Sequence, residues 1–136
     1  MFRFFINILF SFFILILFSP LITIICIISI ISQGRPIFFI DERLGKNGKS
    51  FNLIKFRTMD KGLSINHKED NKRITKWGSF LRKTSLDELP SIINILKREM
   101  NLVGPRPMPV KYFKRFNDYQ KKRLNVKPGI TGLAQI

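Results

Sequence analysis

The chain has 136 residues, with 24 Lys and Arg against nine Asp and Glu and a formal net charge of +15. That length holds one domain plus an anchor, and the charge calls for an anionic partner: nucleic acid, an acidic membrane or phosphorylated substrates. The single cysteine, Cys26, excludes a disulfide framework and a Cys-based metal site within the chain, and the single histidine is His67.

From Phe4 to Ser32 there is no charged residue, and the run is mostly Phe, Ile and Leu. Its roughly 29 residues exceed the roughly 20 needed for a membrane-crossing helix. Ser32-Gln33-Gly34 only faintly resembles a signal-peptidase site, and the run is far longer than the apolar core of a signal peptide. Ser19-Pro20 interrupts it. Pro20 has no N–H to offer the carbonyl of Ile16, and Ser19 can bond back to a carbonyl and help the backbone bend. Two topologies follow: a kinked helix that crosses once, or a re-entrant hairpin that enters and leaves by one leaflet. In either, the basic flank after Gln33 puts the remainder on the cytosolic side.

Residues 36–40 (PIFFI) and 51–56 (FNLIKF) read as strands joined across Gly45-Lys46-Asn47-Gly48, a hairpin signal. Asp60 to Lys72 is polar and reads as a mobile loop, with His67 inside it as a solvated residue. A helix is expected from Thr75 to Lys83. Leu89, Ile92, Ile93 and Leu96 then repeat at helical spacing. Tyr112, Phe113, Phe116 and Tyr119 do the same among Lys111, Lys114, Arg115, Lys121, Lys122 and Arg123. That pattern fits a helix at a membrane interface and equally an ordinary core-packed helix with a cationic outer side. The fold class is therefore α+β: an N-terminal membrane helix followed by a small helical domain with a β-hairpin. The division falls at 1–33 and 34–136.

Asp87 and Glu88 are adjacent acids in a cationic setting. Asp87 suits a helix N-cap before Pro90, and Glu88 suits the positive end of a helix dipole. The same two carboxylates also suit phosphate chemistry, because Arg82 and Lys83 lie just upstream. Gly104-Pro105-Arg106-Pro107 can hold a guanidinium rigidly for a bidentate phosphate contact. Lys55 and Arg57, at alternate strand positions, are expected on one sheet face, either a phosphate-binding face or simply the exposed one. Lys127-Pro128-Gly129 is a weaker anion-binding turn.

Taken in order, Ser19-Pro20, GRPIFF, ERLGKNGKSFNLIKFRTM, RITKWGSFLRKTSLDELP, LVGPRP and VKPGITGLAQ resemble the bacterial sugar transferase family, the monotopic phosphoglycosyl transferases. The resemblance runs from Ser19 to the last residue. It implies transfer of a sugar phosphate from a UDP-sugar to polyprenol phosphate, with release of UMP, at the cytoplasmic membrane. It also implies Asp87 as nucleophile and ligand of a Mg²⁺ ion, and Glu88 as the second acid of the dyad. Lys55, Arg82 and Arg106 become the phosphate contacts, membrane lipids the surroundings, and the re-entrant hairpin broken at Ser19-Pro20 the favoured topology. Nucleic acid is not an expected partner, since no zinc-finger or RNA-binding signature is present. The chain departs from the family pattern at Arg98-Glu99, where Gly-Asp is common, and at Leu133, where Trp is common. It also stops at Ile136, where relatives continue, so the catalytic domain is expected to be incomplete at its C-terminal end. The alternative to a working transferase is then an inactive fragment acting as a membrane or interaction protein.

Overall fold

A computed structural model describes residues 2–60 and 72–132. The loop expected over 60–72, with His67, lies almost wholly outside the described residues.

Helix α1 (Phe2–Gln33) is 32 residues long, about 48 Å at the usual rise. Its stretch Ile6–Gln33 is long and apolar enough to cross a membrane. The break expected at Ser19-Pro20 is not seen, because the helix runs through Pro20. The Ser19 hydroxyl donates to the Ile16 carbonyl at 2.8 Å. That is the acceptor left without a partner by the missing proline N–H. Thr23 donates in turn to the Ser19 carbonyl at 2.9 Å. One stripe of α1, carrying Ser11, Ile25 and Ser29, is buried, while Leu9, Phe13, Leu17, Ile24 and Ile31 on the other side stay exposed.

The junction after α1 is built by Arg57. It is only 8% exposed, and its guanidinium donates to the carbonyls of Gln33 and Gly34 at the helix end. A cation there satisfies orphan acceptors and complements the negative end of the helix dipole. Arg57 thus lies beyond the second strand and does not share an anion-binding face with Lys55, contrary to expectation. The strand ends one residue earlier, and the backbone N–H of Arg57 turns to Ile37.

The hairpin is formed by β1 (Phe38–Leu44) and β2 (Ser50–Phe56), antiparallel from Phe38↔Phe56 to Leu44↔Ser50. Asn47 and Gly48 turn the chain with positive φ. Phe51 and Leu53 pack with Ile95 and Met100, whereas Phe56 packs with Ile25 of α1 and Leu81. Helix and hairpin therefore share one apolar cluster.

Helix α2 (Lys76–Lys83) matches the expectation and is capped by Thr75, whose hydroxyl accepts from Gly78 N–H at 2.8 Å. Gly78 sits on the Thr58 backbone, where a Cβ would meet the Thr58 oxygen at 1.9 Å. Only glycine permits that approach. Next come a 3₁₀ segment, Leu86–Ser91, and helix α3 (Ile92–Leu96). The residue N-terminal to that segment is Ser85, with φ +58°, so Asp87 is not the helix cap that its type suggests. Strand β3 (Asn101–Val103) pairs in parallel with β4 (Gly129–Thr131).

Asn94 is fully buried and completes the free edge of β2. Its side chain accepts from Ile54 N–H at 3.1 Å and donates to the Asn52 carbonyl at 2.7 Å and to Glu99 at 2.6 Å. The aromatic and basic stretch after residue 110 is not one helix. It is a 3₁₀ segment (Val110–Arg115), a short helix α4 (Asp118–Lys121) and a 3₁₀ turn (Lys122–Asn125). Phe116 is extended, and Asn117 starts a fresh helix through a reciprocal bond pair with Gln120. The expected single amphipathic face is therefore broken.

Candidate active site

The acidic pair lies in the first turn of the Leu86–Ser91 segment, which packs against β2. Ser91 tightens that turn by donating to the Glu88 carbonyl at 2.5 Å. Lys55, near the end of β2, reaches across to Glu88, with Nζ to Oε1 at 2.5 Å and both side chains largely buried. Arg106 approaches the same oxygen at 3.4 Å from a more exposed position. One carboxylate thus gathers two of the three cations expected to contact phosphate.

The third, Arg82, does not touch Glu88 and donates through Nε to the Thr58 hydroxyl at 2.8 Å. It nevertheless acts on Asp87 through space. Burial pushes the Asp87 carboxyl above the ordinary carboxylate range. Lys55 opposes that shift, Glu88 adds to it, and Arg82 opposes it again. The two acids are neighbours in sequence but differ in state: Glu88 is neutralised by direct ion pairs, and Asp87 is half buried with cations nearby.

The Gly104-Pro105-Arg106-Pro107 turn is held on four sides. Gly104 N–H donates to Thr131 O at 2.9 Å, and Gly129 N–H donates to Pro105 O at 3.0 Å. Arg123 donates to the Arg106 carbonyl at 3.2 Å. Arg43 donates to the Pro107 carbonyl at 3.1 Å while its Nε and second terminal nitrogen bind Asp41. The backbone of the turn is thus tied to β4 and to the side chains of Arg43 and Arg123. Gly129 N–H, however, is committed to the backbone and is not an anion donor.

Together Arg43, Lys55, Glu88, Ser91 and Arg106 line a small cleft that opens to solvent. Asp87 is not one of its lining residues. Its carboxyl lies within electrostatic reach of Lys55, which does line the cleft, and of Arg82. Sequence reasoning did not find Arg43 or Asn94. Opposite charges two residues apart, Asp41 and Arg43, just past the expected first strand were the available signal for the first. For the second it was a lone amide inside Ile92-Ile93-Asn94-Ile95-Leu96.

Among the described residues no group of three His, Cys, Asp or Glu gathers. The two carboxylates fit a hard cation of the Mg²⁺ type only when substrate oxygens and water fill the rest of its shell. Such ions are commonly held that way, by one or two carboxylates and a bound phosphate. Of the two, Asp87 would be the carboxylate left to hold such an ion, since Glu88 already carries two cations.

Comparison with known proteins gives a consistent answer. The family model described as bacterial sugar transferase matches residues 1–136. A galactosyl transferase, CpsE, of Streptococcus agalactiae is 43% identical, over 85% of this chain and 29% of its own length. An uncharacterized sugar transferase, EpsL, of Bacillus subtilis is 48% identical, over 76% of this chain and 52% of its own. The UDP-glucose:undecaprenyl-phosphate glucose-1-phosphate transferase of Xanthomonas campestris is 44% identical, over 86% of this chain and 26% of its own. The chain therefore spans between about a quarter and about half of these curated relatives.

Proposed function

The chain belongs to the bacterial sugar transferase family, and from that premise we propose that it transfers a sugar phosphate from a UDP-sugar to a polyprenol phosphate at a membrane. The observation that carries this reading is the Asp87-Glu88 pair, set among Lys55, Arg82 and Arg106 in a domain packed directly on an apolar helix. The names of relatives support the same substrates. The domain faces the cytosol, as the basic flank beyond Gln33 suggests, and the membrane is the cytoplasmic one.

In this mechanism an Asp87 oxygen attacks the β-phosphorus of the donor. A new O–P bond forms, the bond to the bridging oxygen breaks, and UMP leaves with that oxygen. The lipid phosphate then attacks the same phosphorus, the aspartyl O–P bond breaks, and Asp87 returns as carboxylate. Dividing one difficult displacement into two is ordinary nucleophilic catalysis. Asp87 must be ionised to attack, and Lys55 and Arg82 favour that form against the cost of burial. Lys55 and Arg106 exchange their carboxylate partner for phosphate oxygens when the donor arrives, which leaves the positive charge already in place. Asp87 would hold Mg²⁺ together with the donor's oxygens, and that charge would offset the repulsion between carboxylate and pyrophosphate.

The reaction is tested by supplying the chain in lipid nanodiscs with polyprenol phosphate, Mg²⁺ and UDP-glucose, UDP-galactose or their N-acetyl forms. Release of UMP that depends on the acceptor, with a lipid-linked sugar as product, is expected. Hydrolysis to free sugar phosphate in place of a lipid product would contradict the acceptor assignment.

A further inference from the structure

We propose that the start of the hairpin, Phe38-Phe39-Ile40, is a second membrane-seating element that dips into the lipid interface and fixes the height of the active site. It rests on the membrane reading of α1. These three residues are 41%, 52% and 61% exposed. Strand alternation puts Phe38 and Ile40 on one face and Phe39 on the other, so the strand shows apolar side chains to solvent on both faces. A soluble edge strand is normally protected there by charge or by a covering element. Asp41 and Arg43, further along the same strand, show that polar residues are accommodated as soon as the chain moves away from α1.

The occupant is a bilayer because the patch is continuous with a surface already fit for one. Only Gly34, Arg35, Pro36 and Ile37 separate β1 from α1, whose outward face is exposed Leu, Ile and Phe. Phe38 stacks on Phe56 at 5.5 Å, and Phe56 packs against Ile25 of α1. On the other side of that cluster Trp77 donates to Ser29 of α1 at 2.9 Å and stacks with the exposed Phe80 at 5.3 Å. Exposed aromatics thus border the C-terminal end of α1 from β1 and from α2. Exposed cations, Arg35, Lys76 and Lys83, lie beside them in sequence. Aromatic rings at headgroup level with flanking cations for anionic lipid are the usual composition of an interfacial surface.

The position of Phe39 gives the element its purpose. Phe39 is the register partner of Lys55, and side chains so paired lie about 5 Å apart at Cβ. Lys55 in turn holds Glu88. A hairpin seated at Phe39 therefore brings Lys55 and the acidic pair to the level of lipid phosphates, where a phosphorylated lipid presents its headgroup.

The test is spin-label depth measurement on the full chain in phosphatidylethanolamine/phosphatidylglycerol vesicles, with Cys26→Ala as background. Labels are placed at Phe39→Cys and Ile40→Cys, with Leu17→Cys on the outer face of α1 and Lys49→Cys at the far end of the hairpin as references. Labels at 39 and 40 are expected to be relaxed by oxygen and to lose most of the relaxation by a water-soluble nickel chelate seen at 49. Equal nickel relaxation at 40 and 49, with 17 in lipid, would overturn the seating element alone. Nickel access at 17 as well would overturn the membrane reading beneath it. Protection of 39 and 40 from both reagents would place protein on the patch, a second copy included, and would also overturn the proposal.

Discussion

Of the places among the described residues where cations meet oxygen, two differ most clearly in what the oxygen can do. At the end of α1, Arg57 is buried on the carbonyls of Gln33 and Gly34, neutral groups of the backbone that cannot leave. At the acidic pair, Lys55 and Arg106 share one oxygen of Glu88, a side chain beside an open cleft. The first arrangement holds a helix to a domain. In the proposed reaction the second stores positive charge for an incoming phosphate to take over. Both sites join a cation to an oxygen distant in sequence, and burial with the nature of the acceptor separates them.

That contrast can be broken most forcefully at Asp87. Asp87→Asn is expected to lower turnover by roughly 10³-fold or more, as loss of a nucleophile commonly does, while membrane association survives. The same change is expected to raise stability at neutral pH. Burial sets the folded pKa of Asp87 above its unfolded value, so ionising it costs stability above the folded pKa. This cost fades as the pH falls through that value toward the ordinary carboxylate range. The stability advantage of Asp87→Asn should therefore shrink on acidification. Activity should fall over the same window, because the attacking form is lost. Denaturant titrations of both proteins across that range, with turnover measured alongside, check the sign.

At the junction, Arg57→Met strips both terminal carbonyls of their donor and should cost about 2 kcal/mol of stability, read in detergent by denaturant unfolding. At the cleft, Lys55→Met leaves the largely buried Glu88 carboxylate with Arg106 alone, and should cost about 1–3 kcal/mol of stability while weakening UDP-sugar binding by roughly 10-fold. Weakened UDP-sugar binding in Arg57→Met, with binding unchanged in Lys55→Met, would contradict the distinction between structural and available charge. The smallest effect is expected at Asn47. Its φ is +58° in the hairpin turn, a conformation that glycine adopts more freely than a residue with a side chain. Asn47→Gly should raise the unfolding midpoint slightly without changing binding.

Much of the layout was legible in the sequence. The hairpin, α2 and the turn around Arg106 follow from local rules, and local rules were enough. Long-range pairing was not accessible in this way. Nothing in the spacing of Lys55 and Arg57 tells that one faces Glu88 and the other ends a helix 24 residues earlier, because that depends on β2 stopping at Phe56. Nor did the apolar run announce that Ser19 would carry the helix through Pro20, since one hydroxyl decides whether the freed Ile16 carbonyl marks a break. The aromatic repeat after residue 110 failed for the opposite reason. Its period was helical, but Asn117 caps a new segment in the middle of it, and a capping residue outweighed the periodicity.

The central claim, that Asp87 carries the phosphosugar, is tested most directly by intact mass. The full chain in detergent is incubated with Mg²⁺ and each UDP-sugar in the absence of lipid acceptor, then digested and mapped. One added sugar phosphate on the peptide containing Asp87, lost in Asp87→Asn and discharged by polyprenol phosphate, is the predicted result. Acceptor-dependent turnover with no adduct at any time, or with the adduct on another residue, would contradict it.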